Sequence, residues 1–275
     1  DRSENHLQYA LLGDPALSLN LPMMMVVVDS INGISCQRTD TVPLLRAGDI
    51  ARIAGHVETV VDVQGVVTST VRDSRELVTC KLNDATADGA STAFQYYDRQ
   101  KTLYQGADSV SGGKFAFCFA VPKDINYSGD TGLMNLYAVS NDKGLRANGE
   151  SARFKVGGSV VAENDSIGPS VFCYLNSPTF VDGGNVNTTP YFVARISDKD
   201  GINAAGSGLG HDLKLVIDGD QSKTYNLNGY FSYDFGTYTS GSTCYSIPEL
   251  PAGRHQLTFT AWDIQNNSYT TTLPF

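Results

Sequence analysis

Three loop-forming stretches in the C-terminal half carry the densest set of hard oxygen ligands in the chain: Asp165, then Asp198-Lys199-Asp200-Gly201, then Asp263-Ile264-Gln265-Asn266-Asn267. Calcium takes about 6 to 8 oxygens from carboxylates, amides and backbone carbonyls. If the three stretches meet at one end of a fold, Asp165, Asp198, Asp200 and Asp263 would converge as metal ligands for Ca²⁺. The spacing departs from an EF-hand loop, and Asp and Asn also occupy turns because they bond nearby backbone and tolerate left-handed angles. Both readings stay open. Gly206-Ser207-Gly208-Leu209-Gly210-His211-Asp212 is too glycine-rich for a strand. Its N–H groups could cradle an anion, although no helix follows; a flexible or closely packed loop is the alternative. Tyr225, Tyr230, Phe231, Tyr233, Phe235 and Tyr238 crowd one short stretch. Exposed, they would line a glycan-binding face; half-buried, they would be cross-strand pairs.

Nucleophilic catalysis needs a base beside its nucleophile. The four histidines, His6, His56, His211 and His255, have no recognisable nucleophile signature near them. The motifs G-x-S-x-G, H-E-x-x-H, the P-loop and a strand-linked G-x-G-x-x-G are all missing from the sequence. Cys36, Cys80, Cys118, Cys173 and Cys244 are widely spaced with no C-x-x-C pair, so neither a zinc site nor a disulfide framework is indicated. Cys118 and Cys173 sit in apolar runs and are expected to be small core residues. No catalytic or cofactor-binding residue is expected, and the candidate metal is the only cofactor to consider.

The 275 residues carry 29 acidic against 20 basic side chains, a net charge of −9 with a pI near 4.8. That balance argues against a nucleic-acid partner or an anionic membrane surface. The longest apolar run, Met23 to Val28, falls far short of the ~20 residues that span a bilayer and reads as a strand. Membrane insertion is not expected.

The elements that would position these residues are strands. Leu7, Ala10 and Leu11 follow a helical spacing after Ser3, and Gly13-Asp14-Pro15 would stop that helix. Beyond Pro22 the period becomes 2, in Ile50–Val57, Phe115–Val121, Leu133–Val139 and Leu257–Trp262. Turn formers from Val156 to Ser159 and from Asn164 to Pro169 divide two strand-rich blocks near residue 160. The second block holds strands around 170–175, 190–197, 212–218, 223–227, 230–235, 243–247, 256–263 and 268–275, the content of an immunoglobulin-like sandwich without the antibody tryptophan position. The expected class is all-β: two tandem immunoglobulin-like antiparallel sandwiches, 23–160 and 161–275, preceded by a short helix in 1–22. Residues 85–95 are expected to form a surface loop of the first.

Tyr9-Ala10-Leu11-Leu12-Gly13-Asp14-Pro15-Ala16-Leu17 resembles the close of the caspase-like domain in gingipain-type cysteine peptidases. Phe119–Tyr127, Gly201-Ile202-Asn203 running to Gly208–Asp212, and Ala261–Ser268 resemble, in the same order, segments downstream of that domain in the sortase of type IX secretion. The family's catalytic Cys and His lie upstream of the first string, so the resemblance assigns no catalytic role to any cysteine here. It implies a fragment of a longer peptidase, its partners being the caspase-like catalytic domain and a sorting domain of the same parent chain, with secreted cargo and type IX secretion components beyond them. It also implies location at the outer-membrane surface of a Gram-negative Bacteroidetes cell. The reading from another class is a free surface module that binds glycan or protein.

Overall fold

The computed structural model describes residues 22, 24–38, 40–58, 62–81, 92–161, 165–205 and 210–275. The expected helix with His6, most of the 85–95 loop, and Gly206–Leu209 lie outside the described residues. What is described is all-β, with two one-turn 3₁₀ segments, Gln221–Lys223 and Asn228–Tyr230, and no α-helix.

The first twelve strands are β1 (Met24–Ile31), β2 (Ile34–Ser35), β3 (Leu44–Ala47), β4 (Ile50–Val57), β5 (Gly65–Arg72), β6 (Glu76–Thr79), β7 (Gln95–Asp98), β8 (Thr102–Ser111), β9 (Lys114–Ala120), β10 (Leu133–Ser140), β11 (Arg146–Ser151) and β12 (Lys155–Ser159). Seven of them close into a ring, β1-β11-β10-β5-β8-β9-β4 and back to β1. The first unit is therefore a closed barrel, which corrects the expected two-sheet sandwich. A short parallel contact closes it, Met24 against Ala147 and Met25 against Asn148, where Gly149 lets the backbone of Val26 approach. Period-2 patterning cannot foresee this, because alternation is the same in an open sheet and a closed one. Val67, Val71, Phe115, Phe117, Phe119, Met134, Leu136 and Ala138 alternate inward to fill the barrel.

Gly112 and Gly113, both at positive φ, form the two-residue turn that joins β8 to β9. The pair is hydrogen-bonded only beside that turn, at Val110–Phe115 and Ser111–Lys114. Further along, β8 stays on β5 as far as Thr102 and β9 stays on β4 as far as Ala120, so the wall splits between them. Two short sheets lie outside the ring, β3 with β12 and β6 with β7. Val156–Ser159, expected as a boundary turn, is part of β12; the glycines supply a register irregularity between Val156 and Ser159.

The second unit has β13 (Ser170–Leu175), β14 (Tyr191–Ser197), β15 (Lys214–Ile217), β16 (Thr224–Asn226), β17 (Ser232–Tyr233), β18 (Ser240–Ser246), β19 (Gln256–Trp262) and β20 (Ser268–Pro274). Each coincides with one of the eight expected segments. They form two antiparallel four-stranded sheets, β13-β14-β18-β17 and β16-β15-β19-β20. Phe192 of β14 meets Phe259 of β19 across the interior at 5.3 Å. With Ala194, Ile196, Leu215, Ile217 and Leu257 they form a buried core.

Candidate functional site at the junction of the two units

The split barrel wall receives the second unit. β8 exposes unpaired backbone where it leaves β9, and the Gly236 N–H donates to the Ala107 carbonyl there at 2.9 Å. Beside that bond, Tyr104 of β8 lies against Tyr233 of β17 at 5.2 Å between ring centres, and against Phe119 at 5.0 Å. The Tyr233 hydroxyl donates to the Ile202 carbonyl at 2.6 Å. Burial raises the phenol pKa of both tyrosines, so they stay neutral hydrogen-bonding groups. Phe231 and Tyr233 thus belong to the core, while Tyr230 and Phe235 are mostly exposed. The aromatic stretch is divided between joint and surface, not gathered on one glycan-facing plane. Tyr225 and Tyr230 both pack on Tyr245.

A second fastening is centred on Asp124, in the loop after β9 and only 6% exposed. Asn203 Nδ2 donates to its Oδ2 at 2.8 Å, His211 Nδ1 lies 2.8 Å from the same oxygen, and Asn266 Nδ2 donates to Oδ1 at 3.2 Å. Three separate segments of the second unit thus saturate one carboxylate of the first. The next residue extends the contact: Lys123 N–H donates to the Ile264 carbonyl and its ammonium to that of Gln265. The Trp262 ring lies 4.4 Å from the His211 imidazole and covers it. A His–Asp pair can serve a nucleophile, but no hydroxyl or thiol is hydrogen-bonded to His211 among the described residues. Here the pair ties two units together.

The four candidate metal ligands lie in loops at the end of the second unit that faces the barrel. Asp165 precedes β13, Asp198 and Asp200 follow β14, and Asp263 follows β19. The Lys199 ammonium stands 3.0 Å from both Asp165 Oδ2 and Asp200 Oδ2, so the positive charge between those two is a lysine. Asp198 Oδ1 accepts the N–H groups of Asp200 and Gly201. Asp263 accepts those of Gln265 and Asn267, each at 2.8 Å, and the Asn267 amide. Asp165 shares a hydrogen bond with Asp200 and receives the Ile167 N–H and the Lys199 ammonium, which together hold it well below the usual carboxylate range. Burial, with the charges of Asp263 and Asp200, moves Asp198 the other way. No group of three or more His, Cys, Asp or Glu arranged for a metal is present among the described residues.

The other two histidines among the described residues also sit on carboxylates, His56 on Asp29 and His255 on Asp218. All five cysteines are free thiols. Cys36 is buried, but Cys118 is exposed, which corrects the core placement: on β9 the phenylalanines alternate inward and Cys118 alternates out.

No protein-family model matches the chain, and no curated protein matches it. Among solved structures, it matches the crystal structure of dimeric latent PorU from Porphyromonas gingivalis at 33% identity over 96% of its residues, with a TM-score of 0.55. The chain is similar to PorU. It spans a quarter of the PorU chain. A red sea bream transglutaminase structure aligns over 92% of the chain and 31% of its own at 10% identity and a TM-score of 0.27. The PorU likeness bears on the joint in a particular way. Asp124, Asn203, His211 and Asn266 all fall within the three strings that resemble the type IX sortase in sequence, Phe119–Tyr127, Gly201–Asp212 and Ala261–Ser268. Those strings are far apart in the chain and meet in one place. Asp124 itself was not a candidate on sequence, because its partners are 79, 87 and 142 residues away.

Proposed function

We propose that this chain is a non-catalytic accessory region of a PorU-like, gingipain-type peptidase of type IX secretion, at the cell surface of a Bacteroidetes bacterium. Two β-domains, meeting near residue 160, hold the catalytic domain of the parent chain at a set distance and angle from its sorting domain and from arriving cargo. The observation that carries this is the Asp124 node. A carboxylate buried between two units and bonded from three segments fixes one relative orientation, because moving either unit leaves charge and amides unpaired in a dry setting. A spacer with fixed geometry requires that property, and a string of independent binding modules does not. Support for the peptidase setting comes from the identity with PorU along nearly the whole chain.

The test uses the parent chain with Asp124→Ala paired with Tyr233→Ala. Hydrolysis of a short peptide reports on the catalytic domain alone, and removal of the C-terminal signal from a full-length cargo protein reports on geometry. Cargo maturation is expected to fall at least several-fold while peptide hydrolysis holds. Equal loss of both, or loss of neither, would refute the spacer reading. Specific capture on a glycan array by this region alone, abolished by Tyr230→Ala, would favour the surface-module reading instead.

A further inference from the structure

The split between β8 and β9 leaves a cavity of about 440 Å³ on the barrel flank. Its wall is formed by the outward-facing side chains of Ser30, Arg52, Ala54 and Ala116 over the backbone of Ile53 and Phe117, and it carries one exposed thiol, Cys118. Gly236 of the second unit closes one side. Next to Gly236 stands the carboxylate of Asp108, near enough that a Cβ on the glycine would lie 3.6 Å from Oδ1. Asp108 is half-buried, and among the described residues nothing donates a hydrogen bond to its side chain or pairs with its charge.

The well-buried carboxylates discussed above each have two or more partners, and half-buried Asp108 has none among the described residues. Burial alone lifts its carboxyl to about 6. Tyr104 on its own strand, Cys118 on β9, Arg52 on β4 and Tyr238, whose phenol feels both Cys118 and Arg52, are the titratable and charged groups around the cavity among the described residues. The Arg52 guanidinium bonds the Ile50 carbonyl, at 3.5 Å, instead of Asp108. A half-buried anion at the side of a cavity that also presents alanine methyls is complementary to a cation with an apolar stem. The geometry points to a binding site for an alkylammonium group, with the ammonium on Asp108 and its methylenes along Ala54 and Ala116. A lysine side chain of a partner protein and a free aliphatic amine share that chemistry.

Two probes and a neutral control separate the outcomes. n-Butylammonium and N-acetyl-lysine methylamide are titrated onto the chain at constant ionic strength, with n-butanol as the uncharged isostere, following the Asp108 carboxyl carbon by NMR. Both cations are expected to shift that resonance and n-butanol is not. Because only the carboxylate binds, affinity should rise about ten-fold between pH 5 and pH 7 and then level off. Tighter binding of butylammonium marks a small amine as the ligand, and tighter binding of the lysine amide marks a protein side chain. Equal response to n-butanol, or no response to either cation, overturns the site.

Cys118 gives a second readout that does not depend on equilibrium affinity. Aminoethyl methanethiosulfonate transfers its aminoethylthio group to the thiolate and releases methanesulfinate, and the methyl reagent does the same without the ammonium. The ratio of cationic to neutral rates at Cys118, read by peptide mapping, should fall about ten-fold in Asp108→Asn and not at Cys80 or Cys244. An unchanged ratio at Cys118 would also overturn the site.

Discussion

Asp124 and Asp263 are both nearly devoid of solvent contact, at 6% and 0% exposure, and each is fully hydrogen-bonded, yet they hold different things together. Asp263 takes its partners from residues two and four positions on, Gln265 and Asn267, and shapes the turn between β19 and β20. Asp124 takes its partners from three distant segments and shapes the relation of two units. A buried carboxylate needs several donors in either case. What differs is where they come from. The local set forms as soon as the hairpin forms; the distant set exists only when both units are folded and docked.

The sharpest way to break this comparison is to remove each carboxylate in turn. Asp124→Ala leaves two amides and an imidazole without their acceptor in a dry joint and is expected to lower stability by about 3 kcal/mol. It should also lower the cooperativity of urea unfolding, because the two units no longer melt as one. Asp263→Ala leaves two backbone N–H groups and the Asn267 amide unpaired within one turn and is expected to cost about 2 kcal/mol with cooperativity kept. Chemical denaturation followed by Trp262 fluorescence, which sits beside both groups, reads the two variants on one scale. An Asp124→Ala variant that unfolds as cooperatively as the native chain would mean that the aromatic contact of Tyr104 with Tyr233 suffices for docking.

The same contrast explains what was legible in the sequence. Eight strands of the second unit were readable because alternation and turn residues are local signals, and Asp263-x-x-x-Asn267 announced a turn for the same reason. That Asp165, Asp198, Asp200 and Asp263 sit in loops beside strand ends follows from the strand order, and that they bond backbone and Lys199 is the turn reading of the same residues. Lys199 stands beside Asp200 in the sequence, but only the fold brings Asp165 to its other side, so that the ammonium bridges the two. Barrel closure was not legible, since it rests on a two-residue parallel contact of Met24 and Met25 with Ala147 and Asn148. Nor was the joint: Asp124 looks like any loop aspartate until Asn203, His211 and Asn266 surround it. Cys118 was misread because Phe115, Phe117 and Phe119 make their run look wholly apolar, while the pleat turns every second side chain outward.

Asp218 with His255 extends the comparison to an intermediate case, a His–Asp pair within one unit. His255 Nδ1 lies 2.9 Å from Asp218 Oδ2, its Nε2 faces the Pro251 carbonyl at 2.8 Å, and Asp218 Oδ1 accepts the Gln256 N–H. The Pro251 carbonyl, then the Asp218 carboxylate, raise the imidazole above its ordinary 6.5. Against the opposing pull of burial, the Gln256 N–H and His255 lower the Asp218 carboxyl. A raised histidine contributes fully below its unfolded value and loses that contribution as pH climbs through the folded one; a lowered carboxylate contributes above its unfolded value near 3.9. The pair should therefore be strongest between about pH 4 and 6.5, and weaken above. His255→Gln is expected to cost under about 1 kcal/mol at pH 5.5 and less at pH 9, measured as the difference in urea midpoint from the native chain. His211 makes the matching carboxylate contact across the joint, where Trp262 covers it and Asn203 and Asn266 share the load on Asp124. If His255→Gln instead cost as much as Asp124→Ala, with no dependence on pH, the distinction between partners within one unit and partners across two would lose its energetic meaning.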